Sequence, residues 1–242
     1  MLRIPLVALL LTAAATAAPA QEAAPLLRIL FVGNSLTYFN DLPLMVQSMP
    51  CAPGRTLHVD AATMPDAAIA DHMSRGDARR KLNERWDFVV MQQGPSSLAE
   101  SRRELLRGAG RLADRARRAG ATPALYMVWP SRQREADFDR VSESYRLAAA
   151  HVKGLLLPAG DAWREAWKID PEIALYGPDG FHPSLMGSYL AALVICSRLG
   201  GAPPDALPSY VRVAGGLVQI PPRQAAILKQ AATAALALPP GL

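Results

Sequence analysis

Short apolar runs alternate with stretches of helical periodicity along most of this chain. Leu27 to Val32, Thr56 to Ala61, Trp86 to Met91, Pro123 to Trp129 and Gly154 to Leu157 are β-rich runs that read as buried strands. Between them, apolar positions recur at helical spacing over Leu42 to Met49, Ser74 to Glu84, Ser97 to Ala119 and Glu135 to Val152, and again over Ser184 to Leu199. Prolines break the region from Pro203 to Pro208 and again at Pro221-Pro222, after which Arg223 to Leu236 has the pattern of a last helix. Strands that alternate with helices pair in parallel through right-handed crossovers, so the pattern predicts a doubly wound α/β sandwich.

Length and composition add limits. A chain of 242 residues, half of them hydrophobic, suits one domain with a substantial core, and no repeat or low-complexity linker divides it. Residues 1 to 20 carry a single early Arg3, an apolar run from Ile4 to Ala18 and a small-residue end at Ala18-Pro19-Ala20. That is the layout of a secretory signal peptide, which places the start of the mature domain at Gln21 and its destination in the periplasm or the medium. The run is short and alanine-rich for a permanent span, so no stable membrane span is expected once the signal is removed. In an exported chain the two cysteines, Cys51 and Cys196, fit one bridge as well as two buried thiols.

The net charge of +5 changes little. Arg102, Arg103, Arg107, Arg111, Arg115, Arg117 and Arg118 are interleaved with Glu100, Glu104 and Asp114, as on the solvated face of one long helix. Aromatic interleaving and nucleic-acid motifs are both missing, so nucleic acid is not an expected partner. His58, His72 and His151 do not pair at metal-ligand spacing, and Gly33 and Ser35 stand without the further glycines or lysine of a nucleotide loop. Neither a metal nor an organic cofactor is implied.

In such sheets ligands bind beyond the carboxyl ends of the strands, which directs attention to four loops. They are Gly33-Asn34-Ser35-Leu36-Thr37, Met64-Pro65-Asp66-Ala67, Gln92-Gln93-Gly94-Pro95-Ser96 and Asp179-Gly180-Phe181-His182-Pro183. A serine hydroxyl becomes a nucleophile when a base takes its proton, and a carboxylate on the other ring nitrogen keeps that base in the right tautomer. Asp179 and His182, three apart on a stiffened turn, suit that pairing with Ser35 as the nucleophile. Taken singly, Ser35 also fits a helix cap and Asp179-Gly180 an ordinary turn; their joint occurrence in order argues for chemistry.

Gly33-Asn34-Ser35-Leu36-Thr37 resembles the Gly-Asp-Ser-Leu block that opens the SGNH (GDSL-type) hydrolases, with Asn34 in place of the aspartate. The Asp179-Gly180-Phe181-His182 turn is similar to that superfamily's closing Asp-x-x-His block. The resemblance implies a three-layer α/β/α sandwich with a five-stranded parallel sheet in flavodoxin-like order. It also implies ester hydrolysis through an acyl-enzyme on Ser35, with His182 as base and then acid, and Asp179 orienting it. The two middle loops depart from the family pattern. Where the family places an oxyanion-binding glycine, Asp66 or Ala67 stands here. The Gly-x-Asn block reads Gly94-Pro95-Ser96, which transfers the side-chain donor role to Gln92 or Gln93 beside the Ser35 amide.

Resemblance to the carbohydrate-esterase branch points to a small-molecule or glycan ester, such as an O-acetyl group. A glycan O-acyltransferase with the same residues and an inactive glycan-binding module are the alternatives. Trp129 and Trp163 suit either a pocket wall or the core. The flavodoxin-like layout brings the first and last helices onto one face, which favours a Cys51–Cys196 bridge at the end opposite the catalytic edge.

Overall fold

The computed structural model describes residues 24–74 and 77–239; the expected signal segment, 1–20, lies outside them. The chain runs β1 (Leu26–Gly33), α1 (Ser35–Tyr38), α2 (Leu42–Ser48), β2 (Thr56–Thr63), α3 (Ile69–Ser74), α4 (Asp77–Lys81), β3 (Phe88–Met91), α5 (Ala99–Arg118) and β4 (Thr122–Tyr126). It continues with α6 (Phe138–His151), β5 (Leu155–Leu157), α7 (Ala159–Ile169), α8 (Leu185–Gly200), β6 (Tyr210–Val213), β7 (Gly216–Gln219) and α9 (Pro222–Ala237). Strands β1 to β5 form one parallel sheet in the order β2-β1-β3-β4-β5, the flavodoxin-like order.

Central strands reveal why the apolar runs are unbroken: helices cover both faces of the sheet, so side chains on both sides of β1 and β3 are buried. Helices α3, α5 and α6 pack together in one layer, while α2, α7, α8 and α9 pack together in the other. On α5, Leu105, Ala109, Leu112, Ala113 and Ala116 form the buried stripe, and the arginines lie off it. Helix α8 is apolar almost all round because α2, α7 and α9 surround it.

The structure departs from the sequence pattern in several places. Within the expected helix from Ser74 to Glu84, the described helical residues are Ser74, at the end of α3, and Asp77–Lys81, which form α4; α3 itself begins earlier, at Ile69. Helix α7 is not among the helices the sequence pattern predicts; in it Asp161 is buried and accepts from Ser142 (2.9 Å) and Arg146 (2.5 Å), which ties the segment to α6. The region between the prolines forms an antiparallel hairpin, β6–β7, closed by a turn at Ala214 and Gly215. Strand β4 ends at Tyr126 and not at Trp129.

Cys51 and Cys196 form a disulfide with their Cα atoms 4.8 Å apart. Cys51 follows the end of α2 and precedes β2, so the bridge ties α2 to α8 at the edge of the sheet where the strands begin. Among the described residues, no helix is long and apolar enough to cross a membrane.

Candidate active site

Strands β1 and β3 are neighbours, yet the chain leaves β1 toward β2 on one side and crosses back to reach β3 on the other. Their following loops therefore diverge and leave a crevice at the carboxyl edge. Ser35 stands on one wall of it, as the first residue of α1, and Gln93 on the other. Asn34 caps α1 by accepting from the Leu36 N–H (3.1 Å), and its amide donates to the Ala67 carbonyl (3.1 Å), which links the β1 and β2 loops.

The opposing turn is built from its own hydrogen bonds. Asp179 Oδ1 accepts from the Phe181 and His182 N–H groups (2.9 Å each), and the Gly177 N–H donates to the His182 carbonyl (2.7 Å). Gly180 takes a left-handed φ of 68° that lets the chain reverse. Behind the turn, the Trp129 indole donates to the Phe181 carbonyl (3.0 Å), and the Arg132 N–H donates to the Gly180 carbonyl (2.8 Å). His182 Nδ1 lies 2.5 Å from Asp179 Oδ2, and its Nε2 lies 2.9 Å from Ser35 Oγ. The hydrogen bond to His182, with that from the Phe181 N–H, holds the Asp179 carboxyl below the usual carboxylate range. Phe39 stacks on the imidazole at 4.1 Å and 14°, and Phe181 meets it edge-on. A hydroxyl, an imidazole and a carboxylate in this line can move a proton off Oγ as it attacks a carbonyl carbon, and return it to a leaving group.

The two glutamines have separate positions. Gln92 is fully buried, and both ends of its carboxamide are occupied within the protein. Its oxygen accepts from the Asn34 N–H (2.9 Å) and the Thr37 hydroxyl (2.7 Å); its nitrogen donates to Asn34 Oδ1 (2.9 Å) and the Gln93 carbonyl (2.6 Å). A Cβ on Gly33 would stand 2.3 Å from Thr37 Oγ1 and 2.5 Å from Gln92 Oε1, so this network needs glycine there. Gln93 lines the crevice; its nitrogen donates to Ser96 Oγ (3.0 Å) and only distantly to the Ser101 carbonyl (3.5 Å). Tyr145 donates to the Gln93 carbonyl (2.5 Å), and burial pushes its phenol up, so that it stays a neutral donor.

Asp66 is exposed at the mouth of the crevice with a left-handed φ of 55°. Aspartate tolerates that conformation, so the bend expected of a family glycine is kept with a carboxylate in solvent. The N–H of Ser35, at the helix start, has no hydrogen-bond partner among the described residues.

Other singled-out residues serve the scaffold. His72 is buried, and burial holds it below the usual imidazole value; its Nε2 donates to the Gly33 carbonyl (3.0 Å) at the strand end that carries Ser35. His58 stacks on Trp86, and His151 ends α6 beside Gly110. Trp129 and Trp163 are fully buried and stacked at 3.6 Å, so they belong to the core and not to the crevice wall. The sequence reading missed Phe39 and Asn40, which follow α1; the short Phe39-Asn40-Asp41 segment carries no periodic signal.

A parallel sheet with a hydroxyl and an imidazole facing each other beyond its carboxyl edge is the architecture of an α/β serine hydrolase. No protein-family model matches the chain, and no curated protein matches it. Among solved structures, an SGNH hydrolase from Slackia heliotrinireducens is 33% identical, over 72% of this chain and 99% of that one, with a TM-score of 0.61. The chain belongs to the SGNH hydrolases. The same fold occurs in a DUF4886 family protein from Bacteroides uniformis (16% identity, 90% and 97% of the two chains, TM-score 0.72). It occurs also in Axe2, an acetylxylan esterase from Geobacillus stearothermophilus (16% identity, 72% and 94%, TM-score 0.56).

Proposed function

We propose that this chain is an exported serine esterase in which Ser35 attacks the ester carbonyl, His182 takes its proton and Asp179 orients the imidazole. The observation that carries this reading is the pair of contacts on one ring, 2.5 Å from Nδ1 to Asp179 and 2.9 Å from Nε2 to Ser35. In the first half, the Oγ–C bond forms and the C–O bond to the alcohol breaks, with the proton passing through Nε2 to the departing oxygen. Water then repeats the sequence on the acyl-enzyme and releases the acid. The Ser35 N–H and the Gln93 carboxamide are the donors assigned to the tetrahedral oxyanion, with a backbone N–H of the Asp66 bend beside them. Hydrolysis is favoured over transfer by the solvent access of the relay: the His182 and Asp179 side chains are 23% and 49% exposed.

Among the residues that line the crevice, the polar Asp66, Ser96, Ser97, Ser101, Glu104 and Arg134 stand beside apolar ones such as Leu98 and Phe181, a mixture that suits a hydroxylated alcohol such as a sugar carrying an O-acetyl group. The Cys51–Cys196 disulfide supports export. A fluorophosphonate probe is expected to label Ser35, and Ser35→Ala to abolish both labelling and turnover of small acyl esters. Labelling that persists on another serine in that variant removes Ser35 from the mechanism.

A further inference from the structure

Asn40 and Asp41, five and six residues past Ser35, both take left-handed conformations, with φ of 52° and 56°. Side chains other than glycine avoid this region, and two in succession persist only where the surroundings impose them. Three contacts do so. Asn40 Nδ2 donates to the Pro183 carbonyl and to Ser188 Oγ, each at 2.9 Å, and Asp41 Oδ2 accepts from the Ala214 N–H (2.8 Å) in the turn between β6 and β7. Pro183 is the residue after His182, and Ser188 lies on α8. The bent segment also presents Phe39 flat against the His182 ring.

The Asp179–His182 turn holds its own shape, as its internal hydrogen bonds show, but they say nothing of its distance from Ser35. The Trp129 and Arg132 contacts tie it only to the segment after β4. On the Ser35 side, the tie runs through Asn40 and Phe39. We infer that Asn40 is a positioning residue which, by bracing the Ser35 helix against the backbone at Pro183, sets the Ser35–His182 separation, with Phe39 fixing the plane of the ring. The inference rests on the proposed roles of Ser35 and His182. A hydrogen-bonded pair that reacts only when aligned loses rate steeply with small displacements, on the order of 100-fold for about 1 Å.

The test uses the full mature chain, a fluorophosphonate and p-nitrophenyl acetate. Asn40→Asp keeps a residue tolerant of positive φ but loses the donor; Asn40→Gly keeps the bend without any side chain. Both are expected to slow phosphonylation of Ser35 and to lower kcat, each by about 10-fold or more, with KM unchanged. Phe39→Ala is expected to lower kcat by about 10-fold, and Phe39→Tyr to restore it to within about twofold; this pair decides the matter if the Asn40 variants do not fold. Wild-type phosphonylation rates in Asn40→Asp and Asn40→Gly overturn the inference. Ser35→Ala is run alongside: labelling that persists there defeats the Ser35 reading itself, whereas a silent Ser35→Ala with unimpaired Asn40 variants defeats only the brace.

Discussion

Two adjacent glutamines of identical chemistry are assigned different work by a single fact, the direction of each side chain off the end of β3. Gln92 points into the protein and exhausts its carboxamide on Asn34, Thr37 and the Gln93 carbonyl, whereas Gln93 lines the crevice, its oxygen accepting from the Ile69 N–H (3.3 Å) and its nitrogen keeping one N–H only distantly engaged, at the Ser101 carbonyl. Truncating Gln92 strands several buried polar groups, each costing about 1–3 kcal/mol. Gln92→Ala is therefore expected to lower the unfolding free energy by several kcal/mol, roughly 3, as measured by denaturant titration. Gln93→Ala is expected to lower kcat by about 100-fold, the loss that the proposed oxyanion role of its carboxamide predicts. A Gln93→Ala enzyme of near-normal kcat would leave the oxyanion to backbone amides alone.

Elements around the crevice are joined by one buried carboxylate. Asp137 accepts from Ser97 (2.9 Å), which lies ahead of α5, and pairs with Arg134 and Arg140, so it fastens the start of α6 to the crevice wall. The Ser97 hydroxyl, then the two guanidinium groups, hold its carboxyl below the usual range against the opposing effect of desolvation. Since the folded pKa is the lower one, this contribution to stability is complete above the unfolded value of about 3.9 and is lost as pH falls through the folded value. Asp137→Asn is expected to be less stable than the parent at pH 7, and to lose less stability on acidification below about pH 4; melting temperatures across pH 2 to 7 check this. An acid limb identical to the parent's would show that Asp137 does not carry the linkage.

At the level of the whole molecule, the disulfide and the reactive edge lie at opposite ends of the sheet. A bridge that closes a loop with a sequence separation of 145 residues restricts the unfolded chain by about 5 kcal/mol in the loop-entropy account. Replacing both cysteines by alanine is expected to lower the unfolding free energy by up to about that amount, with kcat at 25 °C unchanged within about twofold. A parallel loss of kcat would show that the α2–α8 tie reaches Ser35. The chain's linear pattern was sufficient for the sheet, because strands buried on both faces must be apolar throughout, and it singled out Ser35, Asp179 and His182 as candidates, because local blocks carry them. Helix α7 and the β6–β7 hairpin were not legible: a buried Asp161 and two prolines look like loop until tertiary partners satisfy them. The fates of Gln92 and Gln93, and the bracing by Asn40, were decided only by the fold. Such roles depend on which groups a side chain meets across more than fifty residues of sequence, and no periodicity records that.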